Sequence, residues 1–191
     1  LQARCDHARL ANRPHIKTHK SPVLARRQLE AGAIGITCQK LGEAEIMADA
    51  GIKDILIATN IIGAAKSGRL AALQRRMPLK ICADNPVSLG LYADVGRAAD
   101  RPVRVIIECD TGQKRAGVVT PNEAVTLAKM VQDNAWLEFG GLMFYPPISG
   151  WPATQRFLDA TEDSLASLGL VADIISTGGT PNLKNIDQLN G

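Results

Sequence analysis

Apolar residues along this chain fall into short runs that alternate with longer stretches of helical period. Alternation or unbroken apolar character over five to nine residues reads as strand, and spacing at three and four residues reads as helix. Strands are predicted at 12–18, 34–39, 54–60, 79–84, 103–110, 137–145 and 173–177, with helices between them at 22–31, 42–50, 64–76, 86–99, 121–134 and 152–168. Ser21-Pro22, Asn85-Pro86 and Thr120-Pro121 each set a capping residue before a proline at the first helical position. Gly32, Gly51 and Gly169 stand just past predicted helix ends. A strand followed by a helix, recurring every 20 to 30 residues, predicts βα units on a parallel sheet.

The predicted strands suit either a doubly wound open sheet or a (β/α)8 TIM-type barrel with seven of its eight strands present. Polar residues favour the barrel. Lys17 and Thr18, Asn60, Asp84, Asp110, Tyr145 and Thr177 all end their strands, which would gather them at the face where such barrels carry their chemistry. The 191 residues fit one domain, and residues 1–191 read as an incomplete barrel domain. The chain opens at Leu1 without methionine and stops at Asn190-Gly191 in mid-pattern, as a piece of a longer protein would.

Composition narrows the function classes only modestly. A formal charge of +3 and 4% aromatic residues argue against nucleic-acid binding, and no apolar run reaches the length of a membrane span. The four cysteines, Cys5, Cys38, Cys82 and Cys109, lie far apart with no CxxC pair. Reduced, buried thiols and a cytoplasmic setting are expected.

The chemistry starts at Arg13-Pro14-His15-Ile16-Lys17-Thr18-His19-Lys20. Read as an extended strand, it sets Arg13, His15, Lys17 and His19 on one face. Neighbouring positive charge disfavours an ammonium and frees the amine, which suits a lysine that must react. A solvated basic stripe is the competing reading. At a barrel mouth beside two imidazoles, Lys17 suits a lysine imine, the linkage through which pyridoxal phosphate is bound. Such a cofactor needs a phosphate site, and Ser176-Thr177-Gly178-Gly179-Thr180-Pro181 offers one. Its two glycines let backbone N–H groups approach closely, and the hydroxyls of Thr177 and Thr180 can donate. In strand 103–110, Val103, Val105, Ile107 and Cys109 form the apolar face, leaving Arg104, Glu108 and Asp110 on the other. Those charges must pair or serve a ligand. Arg115, on the following loop, suits an oxygen anion such as a pyridoxal phenolate; a salt bridge to Glu108 or Asp110 is the alternative. Tyr145 either contacts a cofactor ring or plugs the barrel end.

The octet, together with Asp110-Thr111-Gly112…Arg115-Ala116-Gly117 and Thr177-Gly178-Gly179-Thr180, resembles the D-threonine aldolase and D-serine dehydratase family of pyridoxal-phosphate enzymes on the alanine-racemase type of barrel. The resemblance spans nearly the whole chain. It implies that Lys17 carries the cofactor, Arg115 contacts its ring oxygen and the Thr177–Thr180 loop holds its phosphate. His15 and Tyr145 would line the pocket. It also implies a lyase acting on small D-configured β-hydroxy amino acids by aldol cleavage or elimination, and a homodimer when full length. Members of that family carry a further segment before this chain, an eighth strand and a C-terminal β domain after it. That domain holds a divalent metal, so no metal ligand is assigned here. An amino-acid racemase, which needs a second base, and a pyridoxal-phosphate carrier protein are the other readings.

Overall fold

A computed structural model describes residues 1–185. Six strands, β1 (Ile36–Cys38), β2 (Ile55–Ile57), β3 (Lys80–Ala83), β4 (Val103–Cys109), β5 (Leu137–Phe144) and β6 (Ile174–Ser176), form one sheet in sequence order with every neighbour parallel. A doubly wound sheet reverses its strand order at a switch point. The unbroken order here is that of a section of a TIM-type barrel.

The helices are α1 (Gln2–His7), α2 (Pro22–Glu30), α3 (Leu41–Asp49), α4 (Ala64–Arg76), α5 (Pro86–Ala99), α6 (Pro121–Gln132) and α7 (Trp151–Ser167). Their starts follow from local chemistry. Asn85 accepts from the Ser88 N–H at 2.9 Å, and Ser21 from that of Leu24 at 3.4 Å. Thr120 and Glu123 close a reciprocal capping box at the start of α6.

The strands bury both faces, but against different partners. Ile36, Ile55, Ile57, Ile81, Val105, Ile107 and Leu142 pack in the main core with helix residues such as Leu70, Leu89, Tyr92, Leu127 and Leu158. Leu56, Ala58, Cys82, Ile106 and Met143 form a second, smaller cluster with Ile174, contributed by strands and strand ends alone. That second face is the barrel interior. All four cysteines are buried and free.

At the N-terminal ends of the strands the interior is ionic. Asp54 pairs with Arg13 and with Lys80 at 3.0 Å, and Arg104 pairs with Asp173 and with Glu138 at 3.3 Å. Burial opposes ionisation of Asp54, but hydrogen bonds from Arg13 and Lys80 outweigh it and hold its carboxyl below the usual range. These side chains close the end of the barrel opposite the candidate site. Among the described residues no helix is long and apolar enough to cross a membrane.

The first predicted strand forms only in part. Asn12 and Pro14 accept from Ile34 and Thr37, Ile16 donates to Thr37 at 2.9 Å, and His15 bridges Thr37 in parallel. Pairing then stops, and residues 17–19 turn, with the Lys20 N–H returning to the Ile16 carbonyl at 2.8 Å. The histidines themselves favour this path. Nδ1 of His15 accepts from the Lys17 N–H at 3.2 Å, and Nδ1 of His19 from that of Ser21 at 3.0 Å. Local side-chain acceptors thus replace ladder carbonyls. Arg13, His15, Lys17 and His19 therefore do not share one strand face: Arg13 belongs to the ionic floor, while Lys17 and His19 lie on the turn at the other end.

Candidate active site

The loops that follow the strands assemble three groups of polar side chains at one end of the barrel. The first surrounds Lys17. Because His15 Nδ1 accepts a backbone proton, its Nε2 carries the ring hydrogen and faces Gln39 Oε1 at 3.2 Å. Burial, then the charge of Lys17, pulls the His15 pKa down, so the ring stands neutral beside the lysine. The neighbouring Lys20 is engaged elsewhere, its ammonium 3.2 Å from Glu43. Glu43 is itself held below the usual carboxylate range: burial opposes this, but the N–H groups of Gln39 and Lys40 and the charge of Lys20 prevail. Among the described residues the Lys17 ammonium has neither ion pair nor hydrogen bond, and its side chain is exposed.

The second group joins Arg115, Tyr145 and the glycine loop after β6. The Arg115 guanidinium lies over the Tyr145 ring, 4.9 Å from its centroid, a cation–π contact. Neither salt bridge expected as the alternative for Arg115 forms among the described residues. Tyr145 in turn abuts Gly179, where a Cβ would come within 2.6 Å of the tyrosine Cε2. Gly178 and Gly179 have φ of +133° and +120°, which L side chains rarely adopt. Their N–H groups donate to no described residue, and Thr177 and Thr180 flank them exposed to solvent. Free backbone amides on successive glycines are what an anion requires.

The third group is acidic. Asp84 accepts from Asn60 at 2.8 Å, from Asn85 at 2.7 Å and from the Gly117 N–H at 3.0 Å. Gly117 is there because its backbone runs against strand β4; a Cβ would lie 2.7 Å from the Asp110 nitrogen. Asp110 departs from the sequence reading. The chain leaves the ladder after Cys109, so the Asp110 carboxylate does not share the interior face of Arg104 and Glu108. Instead it accepts from the N–H groups of Gly112 at 2.8 Å and Arg115 at 2.9 Å, folding the loop that carries Arg115.

Glu108 does face inward, following Arg104 and Ile106 in alternation, and is 3% exposed. No described residue makes a hydrogen bond to its carboxyl. Burial pushes its pKa up to about 6; Arg115 opposes the shift, and Asp84 and Asp110 reinforce it. A raised carboxyl pKa means the ionised form is disfavoured in the folded state. Stability is then fullest below the unfolded value of about 4.5 and falls as pH rises through about 6. The cost at neutral pH is up to about 2 kcal/mol. Glu108→Gln should therefore raise the melting temperature by several degrees at pH 7.5, with the gain fading near pH 4.5. An equal gain at both pH values would show that ionisation is not the cause.

Two groups thus come together around named residues of the sequence reading, His15 with Lys17 and Arg115 with Tyr145 and Gly179. No direct contact joins Lys17 to the glycine loop. Gln39 was missed, although it ends a predicted strand as Asn60 and Asp84 do. Asn182, buried and donating its side-chain amide to the Pro146 carbonyl at 2.8 Å, carried no sequence signal. Among the described residues no group of three or more His, Cys, Asp or Glu side chains could hold a metal ion.

Comparison with known proteins agrees with this architecture. The chain is 39% identical over 191 residues to a D-threonine aldolase of Arthrobacter sp, covering 94% of this chain and 50% of the relative. It is 30% identical to a D-threo-3-hydroxyaspartate dehydratase of Delftia sp. (strain HT23), covering 100% of this chain and 53% of that one. Among solved structures, a D-threonine aldolase from Filomicrobium marinum superposes with a TM-score of 0.91 at 30% identity, over 97% of this chain and 54% of the other. The chain therefore spans about half the length of these relatives. Residues 2–188 match the family model described as alanine racemase, N-terminal domain, and the chain belongs to that family.

Proposed function

We propose that this chain forms the cofactor-holding half of a pyridoxal-phosphate-dependent lyase acting on D-configured β-hydroxy amino acids, with Lys17 as the residue that holds the cofactor. The observation that carries this reading is the placement of an uncommitted lysine amine and an uncommitted pair of glycine amides at one end of the same barrel section. The named aldolase and dehydratase relatives support the reaction class.

The residues present suit the cofactor. Gly178 and Gly179 would bind its phosphate through their N–H groups, assisted by the hydroxyls of Thr177 and Thr180. Arg115, held over the Tyr145 ring, would face the ring oxygen as a fixed cation. Lys17 would supply the amine for covalent attachment and, once released by the substrate amine, would be free to carry a proton at Cα. His15, neutral with its hydrogen on Nε2, would line the pocket without competing with Lys17 for that proton. When bound, the cofactor supplies the electron sink for a bond breaking at the substrate's α-carbon. A divalent metal held outside this chain and a homodimeric assembly are part of the same proposal.

The test is product analysis of the full-length holoprotein with D-threonine and D-serine. Release of glycine with an aldehyde, or of an oxo acid with ammonia, is expected, and a chelator should lower either rate. Absence of both product sets from both substrates would overturn the reading.

A further inference from the structure

Strand β6 ends at Ser176, paired with Met143, and the glycine loop that follows has little to hold it. Among the described residues, one hydrogen bond reaches Thr177, Gly178 or Gly179: the Asn182 N–H donates to the Gly179 carbonyl at 2.8 Å. Two successive glycines rotate more freely than any other backbone pair. Untethered, they would scatter their N–H groups over many directions, and ordering them would subtract from the affinity for an anion.

Asn182 provides the tether. It is 3% exposed, and its side-chain amide donates to the Pro146 carbonyl at 2.8 Å. That carbonyl is a firm anchor. The rings of Pro146 and Pro147 fix φ at both positions, and the Gly150 N–H closes the turn onto the Pro147 carbonyl at 2.8 Å. Asn182 therefore joins the glycine loop, through its backbone, to the turn after β5, through its side chain. Tyr145, next to Pro146 in the chain, abuts Gly179 from the same turn. A trans peptide sets its C=O and N–H on opposite sides, so holding the Gly179 carbonyl also aims the Thr180 N–H away from Asn182. Gln113 points its amide at the Pro146 carbonyl as well, but at 3.5 Å it is too distant to take over the role.

Resting on the function proposed above, we infer that Asn182 is a positioning residue for the cofactor's phosphate. It holds the backbone amides of residues 178–180 in the arrangement that receives the anion, and it acts through the loop.

The test compares two ligands that differ by the phosphate alone. Equilibrium dialysis of the full-length protein, freed of cofactor, gives the affinities for pyridoxine 5′-phosphate and for pyridoxine. Neither carries an aldehyde, so attachment to Lys17 does not enter, and the ratio of the two isolates what the phosphate contributes. Asn182→Ala leaves a void and Asn182→Leu fills it, and both remove the donor to Pro146. Each should bind pyridoxine 5′-phosphate about tenfold more weakly, the effect of losing one buried hydrogen bond, while pyridoxine binds as before. Unchanged pyridoxine binding also reports that the site is folded. An equal fall for both ligands would make Asn182 a structural residue only and overturn the inference, as would an undiminished phosphate preference in either variant. The underlying reading fails differently: if the unsubstituted protein binds the two ligands alike, the loop holds no phosphate, and the cofactor assignment falls together with this role for Asn182.

Discussion

Lys17→Ala should abolish turnover of D-β-hydroxy amino acids in the full-length protein, by at least about a thousandfold, and remove the absorption band of lysine-bound cofactor. A loss of that size is what removing a covalent catalyst produces when no neighbour can take its place. Lys20, three residues on, is the substitute nearest in sequence. Its ammonium is committed to Glu43, itself anchored by the N–H groups of Gln39 and Lys40, and its backbone sits at φ +49° on the far side of the turn. Lys17→Arg should fail equally, because a guanidinium keeps its charge and forms no imine under these conditions. Retention of more than about a tenth of the activity in either variant would remove Lys17 from the chemistry.

The second large effect belongs to Gly179→Ala. Two penalties act together there. The backbone lies at φ +120°, and the new methyl would come within 2.6 Å of the Tyr145 ring. Relief requires the loop to swing its N–H groups, the ring to move, or both, and either disturbs the surface on which Arg115 rests. A loss of about 100-fold in cofactor affinity, or about 2.7 kcal/mol, is expected. Gly178→Ala is the internal control: its φ of +133° is as unusual, but a Cβ there meets nothing within 4 Å. It should weaken binding clearly less. Equilibrium dialysis of the two variants against pyridoxal phosphate gives the comparison, and equal losses would show that the contact with Tyr145 is not what matters.

Much of the fold could be read from local signals, because those signals are satisfied locally. Ser21, Asn85 and Thr120 cap the helices that their proline neighbours announce, within one residue of the predicted starts. The period-two alternation of Val103 to Cys109 likewise sorts Arg104 and Glu108 to the interior. The readings that failed required knowing where a segment stops pairing. His15 and His19 capture the N–H groups two residues ahead, so the first strand ends at Ile16. Asp110 is drawn out of alternation by the loop it caps.

The site shows the same division. Lys17, Arg115 and the glycine loop stood out by residue type and motif. The contact of His15 with Gln39, the placement of Arg115 over Tyr145 and the bond of Asn182 to Pro146 depend on partners 24, 30 and 36 positions away, which no local pattern encodes. The Glu108 shift is similarly a property of the folded interior. Its sequence neighbours Cys109 and Asp110 give no hint that no described residue hydrogen-bonds its carboxyl.

Everything proposed for this barrel turns on which lysine the cofactor occupies. Borohydride reduction of the full-length holoprotein, followed by peptide mapping with fragmentation fine enough to separate Lys17 from Lys20, reads that out in one step. The expected result is a single pyridoxyl label on Lys17. A label on Lys20 or any other lysine, or none on a protein that still contains cofactor, would contradict it.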